Sequence, residues 1–190
     1  MTRSAGVTTL FVPGLRGYIP DHWQTLMAEQ IPGSVTVQPL AENKLSREAR
    51  VAALDEALAG IAGDVLLVAH SAGVLTTVHW DRAPTRPILG ALLVAPADVE
   101  APMPEGYPTL DEITSGGWLP IPRSPLSFPA MVVASRDDPL ALFARTEELA
   151  RAWGAELHDA GDVGHLNPAA GFGSWPEGLR LWEEMLLKLG

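Results

Sequence analysis

The chain has 190 residues, 47% hydrophobic and 19% charged, enough to bury roughly 70% of its unfolded surface without a disulfide or metal staple. Thirteen basic against 23 acidic side chains leave a formal charge of −10, which disfavours nucleic acid and polybasic membrane contact. The absence of cysteine excludes disulfides, thiol redox chemistry, cysteine nucleophiles and thiolate zinc sites.

Met1-Thr2-Arg3-Ser4 leads into Val7 to Val12, an apolar, β-branched run that reads as a buried strand stopped by Pro13-Gly14. A six-residue apolar stretch is too short for a signal-peptide core, and no stretch reaches the ~18 apolar residues needed for a membrane span, so a cytoplasmic protein is expected. A helix is expected from Asp21 or His22 to Gln30, ended by Pro32-Gly33, and a short strand at Val35 to Val37. Ser46 is placed to cap a helix carrying Val51, Leu54, Leu58 and Ile61, with Glu48 in its first turn. Val65 to Ala69 is apolar at every position, the mark of a strand covered on both faces.

Ala72 to Asp81 reads as a helix, Ile88 to Val94 and Ala130 to Ala134 as two more buried strands. After Asp138-Pro139, read as an N-cap with proline at the first helical position, Leu142, Thr146, Leu149 and Trp153 form a helical stripe. Glu156 to His158 is a weak last strand. Ser174-Trp175-Pro176-Glu177 has the spacing of a capping box before a final helix with Leu179, Trp182, Met185, Leu186 and Leu189. The alternation predicts one α/β domain: an open, mostly parallel sheet of about six strands with helices on both faces. Pro96 to Pro129 breaks the pattern. It holds eight of the 17 prolines and no clear period, yet its Tyr107, Leu110, Ile113, Trp118 and Leu119 are too apolar for a linker. A lid or pocket wall is the functional expectation, with Trp118, Leu119 and Ile121 hinting at a hydrophobic acyl pocket.

Ala69-His70-Ser71-Ala72-Gly73 joins a strand directly to a helix and resembles the Gly-x-Ser-x-Gly nucleophile elbow, with alanine for the first glycine. Such a turn lifts the hydroxyl clear of the sheet and leaves the Ala72 N–H at a helix N-terminus, where an oxyanion is stabilised. A serine needs a base. His22 and His79 fall on helices as surface or packing residues, His70 belongs to the elbow and is read as turned away from the hydroxyl, and His158 lies in the weak strand. His165, in a glycine-rich loop before the last helix, is the candidate. Ser135-Arg136-Asp137-Asp138-Pro139 follows the fifth strand and offers two carboxylates to orient it. Ser, Asp, His is the chain order of α/β-hydrolases. A second oxyanion donor is expected after the first strand, at the Leu15 amide, with Gly14 letting the backbone approach.

Pro13-Gly14 with His22-Trp23-Gln24, His70-Ser71-Ala72-Gly73, Ala134 to Pro139, Ala150 to Ala155, Gly164-His165-Leu166-Asn167 and Gly171 to Gly178 together resemble the small YdeN-like serine hydrolases, the group that includes retinoblastoma-binding protein 9. The resemblance covers nearly the whole chain. It implies a compact α/β-hydrolase fold without a large cap domain and a triad of Ser71, Asp138 and His165. Asp138 is preferred to Asp137 because the family acid directly precedes the proline. A Leu-x-Cys-x-Glu motif is impossible here, so retinoblastoma binding is not carried over. The expected reaction is hydrolysis of a small ester-like acyl substrate, with amide or peptide cleavage, or a non-catalytic binding role on the same fold, as alternatives. No metal or organic cofactor is implied, since His-Glu-x-x-His, Gly-x-Gly-x-x-Gly and a P-loop lysine are all missing.

Overall fold

The computed structural model describes residues 6–190; the Met1-Thr2-Arg3-Ser4 stretch lies outside them. Six strands form one sheet: β1 (Val7–Val12), β2 (Val35–Thr36), β3 (Asp64–His70), β4 (Gly90–Val94), β5 (Ala130–Ala134) and β6 (Glu156–Asp159). Their spatial order is β2-β1-β3-β4-β5-β6, and every neighbouring pair is parallel. The chain leaves β1 toward β2 and then returns to build outward from β1's other side. The carboxyl ends of β1 and β3 therefore flank the point where strand order reverses, the place where open α/β sheets bind ligands.

The apolar strands sort their side chains by the two-residue period. Leu67 and Ala69 pack with Leu54 and Leu58 of α2 (Arg47–Ala59), Leu75 and Val78 of α3 (Ala72–Trp80), and Leu149 and Trp153 of α5 (Phe143–Trp153). Leu66 and Val68 face the other way, onto Trp23 and Met27 of α1 (Trp23–Gln30) and Leu181 and Met185 of α6 (Pro176–Leu189). Both faces are covered, as the uninterrupted apolar strands require. Ser46 caps α2, its Oγ accepting from the Ala49 N–H at 3.2 Å. Among the described residues no helix is long and apolar enough to cross a membrane.

Two local expectations fail. Asp138 does not cap α5, and Pro139 does not begin it: the helix starts at Phe143 after Leu142, whose side chain makes no capping bond. The Asp138 carboxylate instead accepts from the Leu140 N–H at 2.8 Å, bending the chain before the helix. The capping box at Ser174 is not formed either. Trp175 is the N-cap and Pro176 occupies the first turn, because the Trp175 indole lies over Gly178, where a Cβ would come within 2.1 Å of the ring. Ring packing sets that helix start in place of a hydroxyl cap.

Between β4 and β5 the structure adds an element to the expected pocket wall. The segment 96–129 contains a helix, α4 (Leu110–Ser115), opened by a capping box in which Thr109 and Glu112 bond reciprocally. It is anchored at many points. The Trp118 indole donates to the Leu45 carbonyl at 2.7 Å, Glu100 binds Arg123 and Arg145, and the Asp98 N–H bonds the Leu140 carbonyl at 2.9 Å. Ile113, Trp118 and Ile121 join the core on the α2–α3 face.

The N-terminus of α3 presses directly on β1. A Cβ at Gly73 would stand 2.1 Å from the Val12 carbonyl oxygen and 2.8 Å from that of Pro13. Both obstacles are backbone, which no rotamer change relieves. Gly73→Ala is expected to cost at least about 2 kcal/mol in a urea unfolding titration; a midpoint equal to that of the native chain would refute this account of the elbow.

Candidate active site

Three loops at the carboxyl edge of the sheet converge. Ser71, between β3 and α3, is held at φ 55°, ψ −120°, a conformation that L-residues avoid. The ladder fixes it there: its N–H continues the β3–β4 pairing to the Val94 carbonyl at 3.0 Å, while its own carbonyl accepts from Val74 at 3.0 Å. Its hydroxyl is thus turned out of the sheet. Ala72 is the first residue of α3, so its N–H has no intrahelical partner and sits at the positive end of the helix.

His165 reaches across from the loop after β6. Its Nε2 lies 2.9 Å from Ser71 Oγ, and its Nδ1 lies 2.8 Å from Asp138 Oδ2 and 3.0 Å from Oδ1. Both the imidazole and the Asp138 carboxylate are almost wholly buried. Of the two adjacent aspartates, Asp138 meets the ring. Asp137 braces the loop beside it, accepting from the Gly164 N–H at 2.7 Å and the Ser135 hydroxyl at 2.9 Å. The Gly164 bond, then that from Ser135, hold the Asp137 carboxyl below its usual range.

The loop carrying His165 is also held from the α1–α6 side. His70 Nε2 bonds the His165 carbonyl at 2.9 Å, and the Trp23 indole donates to the Leu166 carbonyl at 2.8 Å. Two successive peptide groups are therefore fixed by two aromatic rings. His70 also stacks toward His165, with ring centroids 4.9 Å apart, and His22 lies 4.8 Å beyond it. His70 and His22 thus stand in the site, against the expectation that they are elbow and packing residues only. Their motif partners gave the signal: Gln24, in the same tripeptide as His22, donates to the Val12 and Val68 carbonyls and ties β1 to β3. His79 and His158 are used elsewhere, against the Trp118 carbonyl and Glu177.

Arg50 was not anticipated. From α2 its Nη2 donates to the Pro13 carbonyl at 2.8 Å and the Gly14 carbonyl at 3.0 Å. Burial lowers its pKa to about 10, which leaves it charged at neutral pH. In a trans peptide the C=O of Gly14 and the N–H of Leu15 point in opposite directions. Holding that carbonyl toward Arg50 aims the Leu15 amide away from it. A Cβ on Gly14 would be 3.4 Å from Ser71 Cβ, so this loop passes directly beside the hydroxyl.

A buried hydroxyl–imidazole–carboxylate chain of this kind can remove a proton from the oxygen and stabilise the resulting imidazolium, and the flanking amides can receive negative charge. The sequence as a whole matches the serine hydrolase family over residues 9–184. Among solved structures, a protein described as a YdeN-like hydrolase from Pectobacterium atrosepticum is 32% identical, with 98% of this chain and 94% of that one covered and a TM-score of 0.80. The ydeN gene product of B. subtilis is 21% identical over 95% and 98% of the two chains, at a TM-score of 0.70. Mouse alpha/beta hydrolase domain-containing protein 10, at 15% identity, 96% and 90% coverage and a TM-score of 0.68, shares the fold. No curated protein matches the sequence. The fold is that of the α/β-hydrolases, and the β4–β5 connection carries a six-residue helix.

The histidine array makes stability sensitive to acid. Burial, with a further contribution from His165 and partly offset by Asp21, lowers the His22 pKa to about 4, and burial lowers that of His70 well below 6.5. Below about pH 6.5 the unfolded chain takes up protons at these two positions that the folded chain refuses. Stability is therefore expected to be complete above that pH and to fall as pH drops toward 4, by up to about 1.4 kcal/mol per pH unit for each group. Denaturant titrations from pH 7 to 4.5 check this; the slope should be shallower in His22→Asn, and an equal slope would contradict it.

Proposed function

The chain belongs to the serine hydrolase family, and from that premise we propose that it hydrolyses small carboxylic esters through an acyl-enzyme on Ser71. The observation that carries this reading is the unbroken pair of hydrogen bonds from Ser71 Oγ through His165 to Asp138, 2.9 and 2.8 Å long, assembled from three separate strand ends. In the first half-reaction His165 Nε2 takes the hydroxyl proton as Oγ bonds to the ester carbonyl carbon. The carbonyl electron pair moves onto oxygen, which the Ala72 and Leu15 N–H groups receive. Collapse of that intermediate breaks the bond to the alcohol oxygen, and the same proton passes from His165 to the departing alcohol.

In the second half-reaction water gives a proton to His165 and its oxygen attacks the acyl carbon. The bond to Oγ then breaks, the proton returns to Ser71, and the free acid leaves. Asp138 keeps the imidazole Nδ1–H toward itself, so that Nε2 faces the serine as an acceptor, and it offsets the charge that the ring acquires. Arg50 and His70 act through others. The first orients the peptide bearing the Leu15 amide, and the second fixes the backbone of the base.

A fluorophosphonate probe is expected to label the native chain and leave Ser71→Ala unlabelled. Native chain without an adduct on Ser71 between pH 7 and 9 would remove the basis for this function; an adduct with turnover of amides alone would replace the ester by an amide. Asp138→Asn should lower kcat by roughly 10⁴-fold through the wrong imidazole tautomer. Asp137→Asn, which only loosens the loop, should cost far less, and the reverse ranking would move the acid to Asp137. Arg50→Met is expected to reduce kcat about 10- to 100-fold with little change in KM, a pattern of lost transition-state contact. A change confined to KM would dismiss its part in aiming the Leu15 amide.

A further inference from the structure

Ser71 stands on the partition between two cavities of different chemistry. One, of about 200 Å³, runs past His165, His70, His22, Gln24 and Asn167. The other, of about 40 Å³, opens beside Ala72 and is walled by Leu75, Ala97, Val99, Met103, Ile113 and Trp118. His165 borders the first and is absent from the second. That asymmetry gives an ester its direction. The proton taken from Ser71 has to be handed to the departing oxygen, so that oxygen lies on the imidazole side. The acyl chain, attached across the carbonyl carbon, then enters the small cavity.

We propose that the substrate is an ester of a short aliphatic acid, roughly two to four carbons long, with a larger alcohol that carries further oxygen acceptors. The proposal rests on the serine hydrolase reading above and assigns each half of the substrate to one cavity. A water-sized group needs about 10–15 Å³ of such space, so the acyl cavity takes roughly three methylene-sized groups. No carboxylate, cation or imidazole lines it, and its one indole N–H, on Trp118, is already spent on the Leu45 carbonyl. Besides Ser71, its remaining polar side chain is Tyr107, which it shares with the larger cavity, so a polar acyl chain would lose its water there with little in return.

The larger cavity offers donors. The His22 Nδ1 accepts from the Gln24 N–H, which leaves its Nε2–H without a protein partner among the described residues. Asn167 uses its Oδ1 on the Ala170 N–H, so its amide nitrogen is likewise open. The Arg16 guanidinium lies at the same cavity, over the Tyr107 ring. Three donors and no carboxylate on that side match an alcohol bearing oxygens that accept.

The test uses the full chain, with Ser71 labelling by a fluorophosphonate verified in the same preparation. Hydrolysis of p-nitrophenyl acetate, butyrate, hexanoate and octanoate is expected to peak at acetate or butyrate, with kcat/KM for octanoate at least about tenfold lower. Met103→Ala should move the optimum to longer chains. Ala97→Leu, which fills the same cavity, should depress butyrate relative to acetate, and either variant alone suffices if the other does not fold. Ile19→Ala, in the larger cavity, should leave the acyl profile unchanged. With the butyryl group held constant, the glycerol ester should be turned over several-fold faster than the propyl ester.

Preference for octanoate in a chain that labels at Ser71 overturns the acyl assignment alone, as does an acyl profile that shifts with Ile19→Ala and not with Met103→Ala or Ala97→Leu. Faster turnover of the propyl ester overturns the assignment of the alcohol. Absence of both labelling and turnover overturns the hydrolase reading itself, and the substrate assignment with it.

Discussion

The rest of the site depends on one residue whose backbone is held where side chains seldom allow it. Ser71, at φ 55°, is the single residue between a strand that ends at His70 and a helix that begins at Ala72. Such a conformation costs of order 1–3 kcal/mol and survives only where the surroundings over-determine it. Here they do so from two directions: the β3–β4 ladder continues through the Ser71 N–H, and α3 is pushed against β1 so closely that only glycine fits at position 73. Fully buried parallel strands make that possible, since only a covered sheet offers so many apolar contacts to hold a strained turn.

Placing the serine leaves the histidine that meets it to be positioned from a loop, and loops are mobile by default. The protein meets this by hydrogen-bonding the loop's backbone as well as its side chain. Asp137 holds the Gly164 N–H, His70 the His165 carbonyl and Trp23 the Leu166 carbonyl, so three consecutive residues are tied to the loop after β5, to β3 and to α1 in turn. The cost is a chain of three adjacent imidazoles, of which His22 and His70 stay neutral because burial opposes their charge. A neutral pair on this side of His165 adds no standing positive charge next to its ring.

Much of this was legible in the sequence. Uninterrupted apolar strands such as Val65 to Ala69 announced a sheet covered on both faces, and Ser71, Asp138 and His165 each fall at a strand end in an order that few other arrangements share. What escaped was set by packing or by long-range contact. Asp138-Pro139 has the look of a helix start, yet the carboxylate is needed at the imidazole and bends the chain locally instead. Ser174 was outbid by the indole at Trp175. The helix at Leu110 hid among prolines although Thr109 and Glu112 carry capping-box spacing, because six residues are too few to show a period. Arg50 left no local trace, since its partners are carbonyls 36 and 37 positions away.

The segment 96–129 is fastened to the α2–α3 face and to α5, but it contributes no strand to the sheet. The register on either side of it is fixed by β4 pairing with β3 and with β5. The strand pairing that carries Ser71, and the strand that precedes Asp138, therefore do not run through this segment. What it supplies is wall: Ile113 and Trp118 belong to the core and also line the shallow cavity beside Ser71.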